Sequence, residues 1–162
     1  MIDTMLADGV VDFITGLFVD YTVADEKGKE WPLAVVKGFL PPKRTEEIED
    51  FEKYCILVRY ADGEADWIAV EDQSKSINRL LIFVRTWSGD VQLGPQNTIN
   101  LMAMIQQRLY ATPIVAKKYR ATYPMKWTAP DGQSYPIWQG EMTIPFFVPM
   151  VQELFIGGVY DE

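Results

Sequence analysis

The sequence predicts an α+β fold, a mainly antiparallel sheet with helices packed on one face. Two observations carry this. Segments rich in β-formers fall in two groups, three or four strands and then two, rather than alternating one by one with helices. Two stretches of helical periodicity stand apart from them, one at the start of the chain and one in its second half. The 162 residues suit one domain, and an apolar content of 48% is enough to bury a core without cross-links.

Residues 3–19 read as a helix, with Met5, Leu6, Val10, Phe13, Ile14 and Leu17 on one face, Asp8 and Asp12 toward water, and Asp3 as the N-cap. The polar stretch Asp25–Glu30 breaks it. Trp31–Phe39 reads as a strand, stopped by Pro41-Pro42. The charge-dense run 43–53 is an exposed loop or a short helix. Tyr54–Tyr60 reads as a strand, Asp62-Gly63 as a turn and Trp67–Val70 as a short return strand. Ile77–Trp87 is the clearest strand, and its apolar centre, Leu80–Val84, predicts cover on both faces. Pro95 suits the first position of a helix that runs to about Tyr110, with Ile99, Met102, Ile105 and Leu109 on its apolar face and Thr112-Pro113 at its end. Two strands follow, Lys117–Trp127 and Ile137–Val148, around the turn residues Pro130-Asp131-Gly132. Pro124, Pro136, Pro145 and Pro149 cannot donate to a ladder and predict sheet edges or bulges. Residues 157–162 are expected to be a loose tail.

Composition narrows the chemistry. A net charge of −8 disfavours a nucleic-acid binder, which needs a basic footprint. The charge is split: residues 1–72 carry 17 acids and 7 bases, whereas residues 73–162 carry 6 acids and 8 bases. Such an asymmetry suits identical subunits packed head to tail. With no histidine, Ser-His-Asp and Cys-His catalysis are excluded and most zinc sites with them. Cys55, the single cysteine, lies in an apolar run and reads as a buried structural thiol. Asp3 and Asp8 stand where an export signal would be basic, and no apolar run approaches the ~18 residues of a membrane span, so a reducing compartment is expected.

No catalytic constellation emerges. Asp62, Glu64 and Asp66 alternate like the opening of a calcium loop, but Trp67 and Gln73 occupy the positions that would need Gly and Glu. Glu46, Glu47, Glu49, Asp50 and Glu52 are too densely charged for the apolar setting that acid–base work requires. The expectation is a protein that is not an enzyme, with no cofactor and no metal. What stands out is Tyr119–Pro149, where Tyr123-Pro124 with Trp127 is echoed by Tyr135-Pro136 with Trp138. Large rings pack cores but are also enriched at interfaces. Trp87, Asp90, Trp127, Asp131, Tyr135 and Trp138 are therefore the candidate interface residues.

These segments come in a telling order: ILVRYADGEAD at 56–66, IFVRTWSGD at 82–90, IQQRLYATPI at 105–114, YPMKW at 123–127 and YPIWQGEMTIPFFVP at 135–149. In this order the chain from Tyr54 to Met150 resembles the tail terminator, or tail completion, proteins of tailed bacteriophages. The resemblance covers more than half of the chain and rests on short elements rather than on a catalytic signature. It implies a small α+β virion subunit that closes a ring, typically hexameric, at the head-proximal end of the tail tube. The implied partners are further copies of the chain, the tail tube protein and the head–neck proteins. DNA would pass through the ring without sequence-specific contact, and no membrane is involved. Assembly would take place in the host cytoplasm. The alternatives are another neck or head–tail connector protein and, from a different class, a small-ligand-binding domain.

Overall fold

The computed structural model describes residues 2–42, 50–68 and 73–149, with backbone alone for 66–68 and 73–75. The expected tail at 157–162 and most of the acidic segment 43–53 lie outside the described residues.

The architecture is α+β. A long helix α1 (Leu6–Leu17) leads into a hairpin of β1 (Thr22–Ala24) and β2 (Glu30–Pro32). Then come β3 (Ala34–Lys37), the single turn α2 (Asp50–Lys53), and two long strands, β4 (Cys55–Ile68) and β5 (Gln73–Trp87). Helix α3 (Leu93–Ala111) is followed by β6 (Ile114–Val115), β7 (Tyr119–Ala121), β8 (Lys126–Thr128) and β9 (Ile137–Val148). The main sheet has seven strands in the order β3-β4-β5-β9-β7-β6, with β8 also paired to β9. Every pairing is antiparallel except β3 with β4.

The two long helices pack on one face of the sheet. Leu6, Val10 and Ile14 of α1 meet Ile56 and Val58 of β4 and Leu80, Ile82 and Val84 of β5 in a core completed by Leu101, Ile105 and Leu109 of α3 and Met142, Ile144 and Phe146 of β9. Each such side chain contributes about 1.5–3 kcal/mol when fully buried. Leu80, Ile82 and Val84 are inaccessible to water, whereas Leu81 and Phe83 are half-buried. The centre of β5 is thus tightly covered on one face only, against the expectation of cover on both. Its outward apolar residues are shielded by neighbours such as Arg59, which lies over the rings of Phe39 and Phe83.

Several boundaries differ from expectation for identifiable reasons. Asp62-Gly63 is not a turn. It lies inside β4, beside a register shift between Tyr60 and Asp62, and a β-bulge absorbs the turn-like residues. A side chain at Gly63 would meet Ile77 O at 2.5 Å. Trp67-Ile68 continues β4 rather than returning along it; the return strand is β5. Trp31–Phe39 divides at Leu33 into β2 and β3, which belong to different sheets. Helix α1 begins at Leu6 with Met5 in the cap position, so Asp3 is not its N-cap. Instead the Asp3 carboxylate accepts bonds from Met5 N (2.9 Å) and Tyr119 Oη (2.8 Å), and Asp3 O accepts one from Tyr60 Oη (2.6 Å).

The prolines give the largest correction. β9 holds Pro145 yet is internal, with β5 on one side and β7 and β8 on the other. Thr122 N donates to Pro145 O at 2.8 Å, so Pro145 turns its N and O toward the gap between β7 and β8. The missing donor therefore falls where the ladder is already broken. The expected strand 117–127 is divided there into β7 and β8, around Tyr123-Pro124, one of two cis X-Pro bonds; Tyr135-Pro136 is the other.

Candidate interaction surface

The candidate interface residues separate into two places. Trp87, Asp90, Tyr135 and Trp138 gather where β5 ends and α3 begins. Trp138 is buried, and its Nε1 donates to Ser88 O at 3.0 Å. It rests directly on Gly94, where an added Cβ would come within 2.2 Å of the indole. Tyr135 Oη donates to Gly89 O (3.1 Å), and the Tyr135 ring meets Trp138 edge-on. Ser88 N donates to Pro136 O (2.9 Å).

Asp90 serves the helix. Its Oδ1 accepts from Gln92 N (2.8 Å) and Leu93 N (3.2 Å), and its carbonyl accepts from Gly94 N (3.1 Å). A carboxylate there satisfies orphan donors and complements the helix dipole. Trp87 O accepts from Tyr54 Oη at 2.5 Å, while Lys53 Nζ lies 5.2 Å from the Trp87 ring. Burial drives the Tyr54 hydroxyl pKa well above the ordinary phenol range.

The β1–β2 turn closes this end. Asp25 accepts from Trp31 Nε1 (3.0 Å) and from Lys27 N and Lys29 N (2.9 Å each). The indole donor, chief among these, holds its carboxyl below the usual range. Glu26 accepts from Ser88 Oγ (3.3 Å), and backbone donors, its own and that of Gly89, hold it low as well. Most polar groups at this end are thus used within the chain. Asp131 sits apart, at the exposed tip of a loop that Gln133 ties down through Pro130 O (2.6 Å) and Gln139 O (3.1 Å).

Trp127 lies elsewhere. On β8 it pairs with Met142 and remains 53% exposed. It walls an apolar groove of about 140 Å³ with Ile99, Met102, Ala103, Gln106 and Met142. Met102 in turn packs on Gly140, where a Cβ would come 2.6 Å from Met102 Cε. Along the same helix flank, Gln106 Nε2 donates to Tyr110 Oη (3.3 Å), and the exposed Tyr110 ring stacks on exposed Tyr123 at 5.7 Å. Tyr110 and Tyr123 were not among the candidates. The signal for them is Ile99, Ala103, Gln106 and Tyr110 at helical spacing, flanking the buried stripe of Met102, Ile105 and Leu109.

The calcium-like carboxylates have another role. Asp62 and Glu64 hold Arg79 of β5 at 3.2 and 2.7 Å across the sheet. Cys55 is buried, and burial pushes its thiol pKa up to about 11, which suppresses nucleophilicity at neutral pH. No described helix is long and apolar enough to cross a membrane.

The fold thus defines an α+β chain with a sheet whose one face is covered by two long helices, and with exposed Tyr110, Tyr123 and Trp127 along the flank of α3. No family model matches the sequence, and no curated protein does. Among solved structures, it is similar to a chain of the virion of a native gene transfer agent particle, with 10% identity over 83% of each chain and a TM-score of 0.40. A likeness that loose assigns neither fold nor function.

Proposed function

We propose that this protein is a virion structural protein that acts by assembly rather than catalysis. In this reading it forms a ring, typically a hexamer, on the head-proximal end of a phage tail tube, ends tube growth and offers a docking surface to the head–neck proteins. The resemblance of residues 54–150 to tail terminator proteins supports it. The structural observation that carries it is the groove beside Trp127, with the Tyr110–Tyr123 stack on the same helix flank. Half-exposed aromatics around an apolar groove suit an interface anchor, because a large ring that leaves water on binding contributes more than a scattered apolar residue. We assign this groove to the tail-tube protein.

The test is to add the purified protein to polymerising tail-tube protein from the same genome and to measure tube length by electron microscopy. Short, capped tubes with a ring at one end are expected. A strict monomer that neither binds tubes nor limits their growth would overturn the reading, and a protein that binds portal or adaptor but not tubes would move it to the neck.

A further inference from the structure

The second face of the main sheet is chemically unlike the rest of this acidic chain. Directly paired residues share a face, so the register defines its composition. One cross-strand row runs Arg59, Leu81, Thr143, Lys126. The next runs Leu57, Phe83, Glu141, Thr128, and a third Glu64, Ile77, Phe147, Arg120. Arg79 stands on the same face, held by Asp62 and Glu64, and so does Arg85, paired with Cys55 and Gln139. The described face thus carries Arg59, Arg79, Arg85, Arg120 and Lys126 against Asp62, Glu64 and Glu141, set among Leu81, Phe83 and Phe147. Arg59 makes ring contacts with Phe39 and Phe83, and neither it nor Arg120 or Lys126 makes an ion pair with a described residue. Among the described residues, neither long helix covers this face.

The opposite charge is available on the same chain. Before β4, which itself gives Arg59, Asp62 and Glu64 to this face, residues 1–54 carry 12 acids and 6 bases. Exposed Asp12 and Asp20 and the mostly exposed Asp50 belong to this segment. A basic, partly apolar face and an acidic segment on one polypeptide are complementary between copies in a head-to-tail arrangement, and that is the contact that closes rings.

We infer that the outer sheet face centred on Arg59, Arg120 and Lys126 docks the acidic N-terminal segment of a second copy of this chain. This rests on the ring reading and adds the pair of surfaces that close it.

Three measurements on the full chain test it. Sedimentation velocity of the wild type should show an oligomer that dissociates as salt rises from about 0.05 to 0.5 M, over which screening shortens to a few ångströms. The variant Arg59→Glu/Arg120→Glu/Lys126→Glu should be monomeric under low salt while its far-ultraviolet circular dichroism stays that of the wild type. Carbodiimide coupling of a mixture of ¹⁵N-labelled and unlabelled protein should join Lys126 of one copy to a carboxylate within residues 1–54 of another. An oligomer indifferent to salt and to the triple reversal overturns this inference and leaves the ring reading standing. A wild type that is monomeric throughout and does not cap tubes overturns the ring reading itself. Salt-dependent binding of a 30-base-pair duplex, lost in the triple variant, would make the face a DNA surface and also overturn the inference.

Discussion

Two short elements that look alike in the sequence have opposite fates in the fold. Tyr135-Pro136 with Trp138 closes inward: the indole is buried on Gly94 and bonded to Ser88 O. Tyr123-Pro124 with Trp127 opens outward: Tyr123 stacks on Tyr110 at the surface, and Trp127 stays half-exposed over a groove. Composition does not decide this; the place of the strand in the sheet does. Trp138 lies on the helix-facing side of a 12-residue internal strand, opposite a helix start that offers a glycine. Trp127 also faces the helix side, but on a three-residue strand beyond β9, where Ile99, Met102, Ala103 and Gln106 of α3 line a groove and leave the indole half-exposed. One motif holds the subunit together, and the other is left for contact.

The comparison can be broken most strongly at Trp138. Trp138→Ala should cost about 3–5 kcal/mol of stability, the range for an aromatic deleted from a core, read by chemical denaturation. Gly94→Ala attacks the same contact from the helix side. It forces a methyl into the indole and should cost about 1–3 kcal/mol through overpacking, with a fall in melting temperature and no change in the accessibility of Trp127. Asp90→Ala removes the carboxylate that accepts from Gln92 N and Leu93 N ahead of α3 and should cost about 0.5–1.5 kcal/mol, whereas Asp131→Ala at the exposed loop tip should lie within about 0.5 kcal/mol of the wild type.

Acid should loosen the closed end without touching the groove. The carboxyls of Asp25 and Glu26 are both held below their ordinary range in the folded chain. Their contribution is fully present above the unfolded pKa of about 4 and is lost as pH falls through the lower folded values. The Trp31 indole N–H resonance should therefore move toward its solvent-exposed position below about pH 4. The Trp127 resonance should stay in place.

The sheet and both long helices were readable because periodicity reports burial. Met102, Ile105 and Leu109 fall on one face of α3, and Ile137–Val148 matches β9 to the residue. Other features needed tertiary context. Asp62-Gly63 has the chemistry of a turn, but a bulge consumes it within β4. Pro145 argues for an edge, but only the broken ladder between β7 and β8 explains why an internal strand tolerates it. For the candidate surface, the residue types pointed to Trp87, Asp90, Tyr135 and Trp138 as readily as to Trp127. The hydrogen bonds of Tyr135 to Gly89 and of Trp138 to Ser88 are long-range and leave no local pattern, so the chain alone did not reveal that these rings are committed internally; those of Asp90 to Gln92 and Leu93 are local. Tyr110 and Tyr123 escaped for the complementary reason. Their stacking joins a helix end to a loop 13 residues on, and neither position stands out alone.

The division of labour between the twin motifs is tested most directly by Trp127→Ala, measured in parallel for thermal unfolding and for capping of tail-tube polymers. The account predicts stability within about 0.5 kcal/mol of the wild type, an unchanged oligomeric state, and tube affinity reduced about tenfold or more, as for an anchor worth over 1 kcal/mol. Unchanged capping, or a loss of stability on the scale of Trp138→Ala, would contradict it.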